Sequence, residues 1–268
     1  MPRRIASVSE DAKVGDRLTF LGHSTVLVDL DGVRVLTDPL LGHLAAGAIR
    51  RQVPAVLPEA LEDLAAVFIS HGHLDHLDLA SLRALPGHPA LIVPAGIGRV
   101  VAKVAHGIIH EMHVGDRLQV GDLTLEAVHA EHDRRRSLFT TAENALGVLI
   151  AGSTRVYFAG DTYLFPAMRQ LAGCVDVALL PVSGWGPTLG RGHLDARRAA
   201  EAVMRIGPAI AMPIHWGTLY PLGLRRVARR RFEGPGEAFR EAVAARALPV
   251  EVRVLQPGQS MTLDGRAG

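Results

Sequence analysis

The sequence predicts a mixed α/β chain. Three observations lead there. Short apolar runs bounded by Gly, Asp and Pro alternate with segments of helical spacing, the pattern of strands interleaved with helices. A tetrapeptide, Gly15-Asp16-Arg17-Leu18, recurs as Gly115-Asp116-Arg117-Leu118. After each copy the chain runs through hairpin strands to an aspartate, Asp38 or Asp161. Two such halves, each with a mostly apolar sheet, suggest two sheets packed together with helices outside. At 48% hydrophobic residues the 268-residue chain can bury a sizeable core.

The elements follow in order. Arg17 to Leu21, Val26 to Leu30 and Val33 to Leu36 read as strands, and Asp31-Gly32 is a strong hairpin turn. A loop with Pro54 and Pro58 leads to the apolar strand Val67-Phe68-Ile69-Ser70. A helix should start at the N-cap Asp78 and use Leu79, Leu82 and Leu85. Leu91 to Val93 is a buried strand closed by Pro94, and Gly98 to Ala105 has helical spacing. Val120, Leu123, Leu125 and Val128 form a hairpin around Gly121-Asp122. Leu146 to Ile150 and Arg155 to Phe158 flank a turn at Gly152-Ser153. Asp195 should cap a helix reaching about Ile206, where Gly207-Pro208 stops it. A helix, Glu237 to Ala247, and a strand, Val250 to Leu255, close the chain.

Chemistry concentrates in His71-Gly72-His73-Leu74-Asp75-His76. Four good ligands for zinc-like ions fall within six residues, on a loop between a strand and a helix. Open sheets bind their ligands at the carboxyl ends of strands. A histidine-rich surface loop is the bland alternative, and the order and context of the run argue against it. His43, His88, His106, His110 and His113 carry no such context and read as ordinary surface or partly buried residues.

His-x-His-x-Asp-His after an apolar strand resembles the signature of the metallo-β-lactamase superfamily. Val156-Tyr157-Phe158-Ala159-Gly160-Asp161-Thr162 resembles that family's later strand, which ends in a metal-bridging carboxylate. Pro213-Ile214-His215-Trp216-Gly217-Thr218 resembles its last histidine motif. Leu21-Gly22-His23-Ser24-Thr25 and Leu36-Thr37-Asp38-Pro39 resemble the branch containing N-acyl-phosphatidylethanolamine phospholipase D and the ascorbate-6-phosphate lactonase. The resemblance runs from Arg17 to Leu263 and implies one domain over 1–268 with a four-layer αβ/βα sandwich fold.

It also implies a ligand set. His71, His73 and His132 would hold one metal, Asp75, His76 and His215 a second, and Asp161 would bridge them. Between the first cluster and Asp161, His129 and His132 are both candidates. The phospholipase-like motif Pro-Ala-x-His selects His132, but His129 stands where its proline would be. The expected cofactor is a pair of divalent ions, zinc first, with manganese or iron as alternatives. Such a pair generates a bridging hydroxide near neutral pH and polarises the bond under attack. Asp75 is assigned to the reacting centre as well as to the metal. His193, in Gly192-His193-Leu194-Asp195, resembles a residue facing substrate and could stabilise a leaving oxygen or oxyanion.

Substrate-side candidates are His23, Arg134, Arg135 and Trp185. His23 is equally compatible with a structural role. Arg134 to Arg136 directly follow the third motif, and a guanidinium fork suits phosphate. Asp38 has no ligand slot and is expected to orient a ligand histidine or to cap a turn. A second run, Arg225, Arg226, Arg229, Arg230 and Arg231, is either a solvated face or a basic rim for an anionic substrate or a lipid surface.

These readings define a metal-dependent hydrolase for a small or lipid-derived anionic substrate, phosphodiesterase-like in chemistry. A lactonase acting on a cyclic ester is the alternative within that class. A non-catalytic or redox di-iron protein is the alternative outside it, and 268 residues leave little room for the flavin partner domain it would need. Net charge is only +2, which does not mark a nucleic-acid binder. No apolar stretch approaches 18 residues and no secretory signal is evident, so peripheral lipid contact is the expected limit of membrane association. The single cysteine, Cys174, excludes an internal disulfide, points to the cytoplasm, and reads as a small buried residue.

Overall fold

The computed structural model describes residues 4–5, 15–42, 44–45, 49–51, 56, 58–132, 145–184, 189, 192–221 and 229–263. Among these residues two large mixed sheets face each other. The first runs, in spatial order, Ser260–Thr262, Arg17–Gly22, Thr25–Leu30, Val33–Thr37, Leu64–Phe68, Ala90–Pro94 and Ile109–Met112. The second runs Arg4–Ile5, Arg117–Val120, Leu123–His129, Leu146–Ala151, Arg155–Phe158, Val177–Pro181, Ile210–Ile214 and Glu251–Val252. The two copies of Gly-Asp-Arg-Leu each open a strand, one in either sheet.

Alternation within each strand makes the layers. Val156 and Phe158 face the core between the sheets, whereas Tyr157 faces the helices. Val177 and Leu179 divide from Ala178 and Leu180 in the same way. In the first sheet Ala66 and Phe68 point inward and Val67 points outward. Strands covered on both faces need apolar residues at every position, hence their continuous runs. Phe68 meets Phe158 edge to face across the central core, ring centroids 6.2 Å apart. Burying each such ring contributes about 1.5–3 kcal/mol.

Helix Leu79–Ala84 covers the first sheet and Ala196–Ile206 and Pro235–Ala244 cover the second. Their ends are set locally. Asp78 caps the first helix by accepting from Ser81 N, and Asp195 caps the second by accepting from Arg198 N. Gly207, at φ 65°, ends the second in the left-handed conformation that glycine adopts without strain. The Asp31-Gly32 turn has positive φ at both residues, as a tight hairpin between right-twisted strands requires.

Several expectations need correction. Cys174 is exposed, because it lies on the turn after the 3₁₀ helix Pro166–Leu171, where its N–H donates to Leu171 O. The expected terminal strand Val250 to Leu255 pairs only over Glu251–Val252, at a sheet edge. The helix expected over Gly98 to Ala105 is α-helical only over Gly98–Val101. The sequence reading left Ile109–Met112 unassigned, along with a small sheet of Leu44–Ala45, Ile49–Arg51 and Leu219–Pro221. Among the described residues no helix is long and apolar enough to cross a membrane.

One close approach joins the sheets beside the ligand loops. Gly160 has φ +59°, and a Cβ there would lie 2.8 Å from Ser70 Cβ and 3.1 Å from Leu146 O. Gly160→Ala should therefore lose about 2–4 kcal/mol, combining left-handed strain with overpacking. Denaturant unfolding checks this, with an unchanged midpoint as the contrary result.

Candidate metal centre

Strand direction gathers the loops. In the first sheet Arg17–Gly22, Val33–Thr37 and Leu64–Phe68 run the same way, each strand in turn leading to His23, Asp38 and the His71–His76 loop. In the second, Leu123–His129, Arg155–Phe158, Val177–Pro181 and Ile210–Ile214 share one direction and lead toward His132, Asp161, Ser183 and His215. Cross-links hold the two sets of loops together: Leu146 N donates to Ser70 O at 2.9 Å, and His215 N to His23 O at 2.7 Å.

The side chains form two adjoining groups, His71, His73, His132 and Asp161, and then His23, Asp75, His76 and His215. In the first, His73 Nδ1 lies 2.9 Å from His71 Nε2 and 3.1 Å from His132 Nε2. In the second, His76 Nε2 lies 3.2 Å from His215 Nε2, and both are 3.5 Å from Asp75 Oδ2. Asp161 stands between, with Oδ2 3.3 Å from His76 Nε2 and 4.0 Å from His71 Nε2, and Oδ1 3.2 Å from His215 Nε2. The sequence-assigned ligands are thus all brought together.

His132, not His129, reaches this cluster. The chain leaves the strand Leu123–His129 with His129 still on it, packed against Phe165 and half-exposed, near Glu131. Three residues later His132 has turned inward to His71 and His73. His193 also closes on the site: its Nε2 is 3.1 Å from Asp161 Oδ2 and its ring sits 4.9 Å from that of His132.

Oxygen acceptors fix the rings from behind. His132 Nδ1 donates to Gly192 O at 2.9 Å and His215 Nδ1 to Ser183 O at 2.8 Å. His76 Nδ1 donates to Asp38 Oδ2 at 2.7 Å. Ser70 Oγ donates to Asp38 Oδ2 at 2.6 Å and accepts from His71 Nδ1 at 2.9 Å, while Ser70 N donates to Asp38 Oδ1 at 2.7 Å. In its neutral form each ring so held turns a lone pair toward the centre, the usual arrangement around a metal. Asp38 is fully buried and accepts from His76 Nδ1. Ser70 was missed in the sequence, since a serine closing an apolar strand carries no distinctive signal.

The donor set fits a metal. Asp161 Oδ1 is buried without a hydrogen-bond partner, yet faces His215 Nε2, whose ring has already placed its proton on Ser183. Two acceptors confronting each other at 3.2 Å in a buried site call for a cation. Burial pushes His23 down to about 3 and His73 to about 4, helped by neighbouring rings, and takes His71 well below its ordinary value. Burial also lowers His132, against the pull of Asp161. Burial opposes protonation of His76, but Asp161, Asp75 and Asp38 surround it and lift it well above the ordinary range. Burial would raise Asp75 and Asp161, yet the nearby histidines, His76 for the first and His215 for the second, hold both well below. The carboxylates are thus ionised and draw positive charge into the cluster.

Backbone strain collects here too. His23, Asp38 and His215 are non-glycine residues with φ of 56°, 35° and 63°. Such conformations persist where surrounding contacts over-determine them, often at functional sites. Arg134, Arg135 and Trp185, assigned to substrate from the sequence, lie outside the described residues, as do Arg225 and Arg226.

The beta-lactamase superfamily domain matches residues 33–216, more than half the chain and including every assigned ligand. The chain belongs to the metallo-β-lactamase superfamily. It is 31% identical over 266 residues to a UPF0173 metal-dependent hydrolase of Aeropyrum pernix, covering 92% of this chain and 98% of that one. It is 29% identical over 230 residues to the N-acyl-phosphatidylethanolamine-hydrolyzing phospholipase D 1 of Caenorhabditis elegans, covering 76% of this chain and 64% of that one. In fold it matches Igni18, a metallo hydrolase of Ignicoccus hospitalis, at a TM-score of 0.70 with 22% identity, over 94% of this chain and 99% of that one. This superfamily member is accordingly a metal-dependent hydrolase.

The placement of the third-motif histidine is testable by metal content. His132→Ala should lower bound metal, whereas His129→Ala should leave it almost intact. Elemental analysis of both purified variants decides, and the reverse pattern would move the ligand to His129.

Proposed function

We propose that this chain is a dinuclear hydrolase of phosphodiester bonds in small or lipid-derived anionic substrates. The observation that carries the two-ion reading is the pair of donor groups meeting at Asp161. His71, His73 and His132 would hold one ion, Asp75, His76 and His215 the other, with Asp161 between them. Zinc suits the imidazole-rich set, and manganese or iron are compatible with its two carboxylates. Bound ions would supply Lewis acidity and a water acidic enough to attack near neutral pH.

The protein's own groups position and protonate. Asp38 and Ser70 lock His71 and His76, so the donors are oriented before substrate arrives. Asp75, buried beside His76 and His215, keeps negative charge at the reacting centre. His193 sits on the solvent side, about one-sixth exposed. Burial resists its protonation, but Asp161 raises its pKa, so it retains a proton to offer to a leaving oxygen. Likeness to the phospholipase favours a phosphodiester. Arg134 and Arg135 would then bind the substrate anion and Trp185 its apolar part, and the lone cysteine is in keeping with a cytoplasmic site of action.

Reconstituted protein should carry close to two ions per chain by elemental analysis. It should hydrolyse bis-p-nitrophenyl phosphate in preference to simple lactones and a chromogenic β-lactam, and chelation should abolish turnover. Metal content near zero would refute the centre. Lactone hydrolysis without phosphodiester turnover would move the function to a cyclic ester.

His193→Ala should keep both ions and the fold, yet lose about 10–1,000-fold in kcat, the effect of one acid–base or oxyanion contact. Wild-type kinetics in that variant would make the histidine structural.

A further inference from the structure

His23 is buried in the second donor group but is held differently from its neighbours His76 and His215, and from His71 and His132. In His71, His76, His132 and His215 a hydrogen bond at Nδ1 leads outward to an oxygen. The His23 ring instead bonds inward, with Nε2 2.9 Å from Asp75 Oδ2. A carboxylate oxygen can only accept, so His23 Nε2 carries the proton and offers no lone pair to the centre.

The turn that presents this ring is tied on three sides. His23 N donates to Thr218 Oγ1 at 2.6 Å, and His23 O accepts from His215 N at 2.7 Å. Its ring lies 4.0 Å from the His215 ring, and its backbone sits at φ 56°, costly for any residue but Gly, Asn or Asp. These contacts clamp His23 against the loop carrying His215 and aim its N–H at the loop carrying Asp75.

We infer that His23 is a positioning residue that fixes the Asp75 carboxylate for the second metal by donating Nε2–H to Oδ2, and is not itself a ligand. The inference rests on the two-ion reading above. Removing such a supporting contact typically weakens metal binding about 10–100-fold.

Two variants separate the possibilities. His23→Asn tolerates the left-handed backbone but is too short to reach Asp75. His23→Gln places an amide N–H where Nε2–H stood. Competitive titration with Zn²⁺ should show one ion bound about 10–100-fold more weakly in His23→Asn, with the other unchanged. His23→Gln should recover to within about threefold of wild type. Wild-type affinity for both ions in His23→Asn would overturn the inference, as would equal loss in both variants. Wild-type protein gives a readout independent of variant folding. With ¹⁵N-labelled histidine and ¹¹³Cd loading, His23 Nε2 should keep its proton and show no coupling to cadmium, whereas the ligand nitrogens should couple. Coupling at His23 Nε2 would make it a ligand. Wild-type uptake of fewer than two ions would instead refute the two-ion reading and the inference with it.

Discussion

Asp38 is the point on which the centre turns. One fully buried carboxylate accepts from Ser70 N, Ser70 Oγ and His76 Nδ1, and through Ser70 it also governs His71. Burial raises the pKa of Asp38, while His76 and Ser70 work to keep it ionised. A charge in that position is tolerable only because every donor around it is aimed inward. The same contacts leave the imidazoles with their lone pairs on the opposite side, facing each other. Structural support and metal-binding capacity are therefore one network.

That network depends on the sheets. Strands that share a direction within each sheet deliver their carboxyl ends to one edge, where backbone hydrogen bonds from Leu146 to Ser70 and from His215 to His23 join the two sets of loops. The apolar core between the sheets, with Phe68 against Phe158, fixes the spacing of that junction. The close approach of Gly160 to Ser70 fixes it again within the site. Strain at His23, Asp38 and His215 is sustained by this double constraint.

Electrostatics give the site its chemical direction. Nearby histidines hold buried Asp75 and Asp161 well below the ordinary carboxylate range, burial lowers His71 and His73, and Asp161, Asp75 and Asp38 lift His76 well above its ordinary value. Cations entering such a cluster replace a proton with a larger charge, so metal uptake and proton release are coupled. His193 stands where this field meets solvent, partly exposed with its Nε2 3.1 Å from Asp161 Oδ2.

By itself the sequence determined what is local. The hairpin at Asp31-Gly32, the caps Asp78 and Asp195, the stop at Gly207 and the donor run from His71 to His76 are each set by neighbours within a few residues, and each was legible there. The apolar run Val67 to Ile69 marked a buried strand in the sequence, and the structure covers that strand on both faces. Tertiary structure decided what depends on partners distant in the chain. Spacing left His129 and His132 open, and only the exit of the chain from its strand turns His132 inward. His23 looked as compatible with substrate as with structure until the fold set it against Asp75, 52 residues away, and His215. Ser70 gained its role from Asp38, 32 residues away, and Cys174 lost its expected burial to a turn. Periodicity and capping report short-range energetics, whereas these contacts arise only when two sheets close on a shared edge.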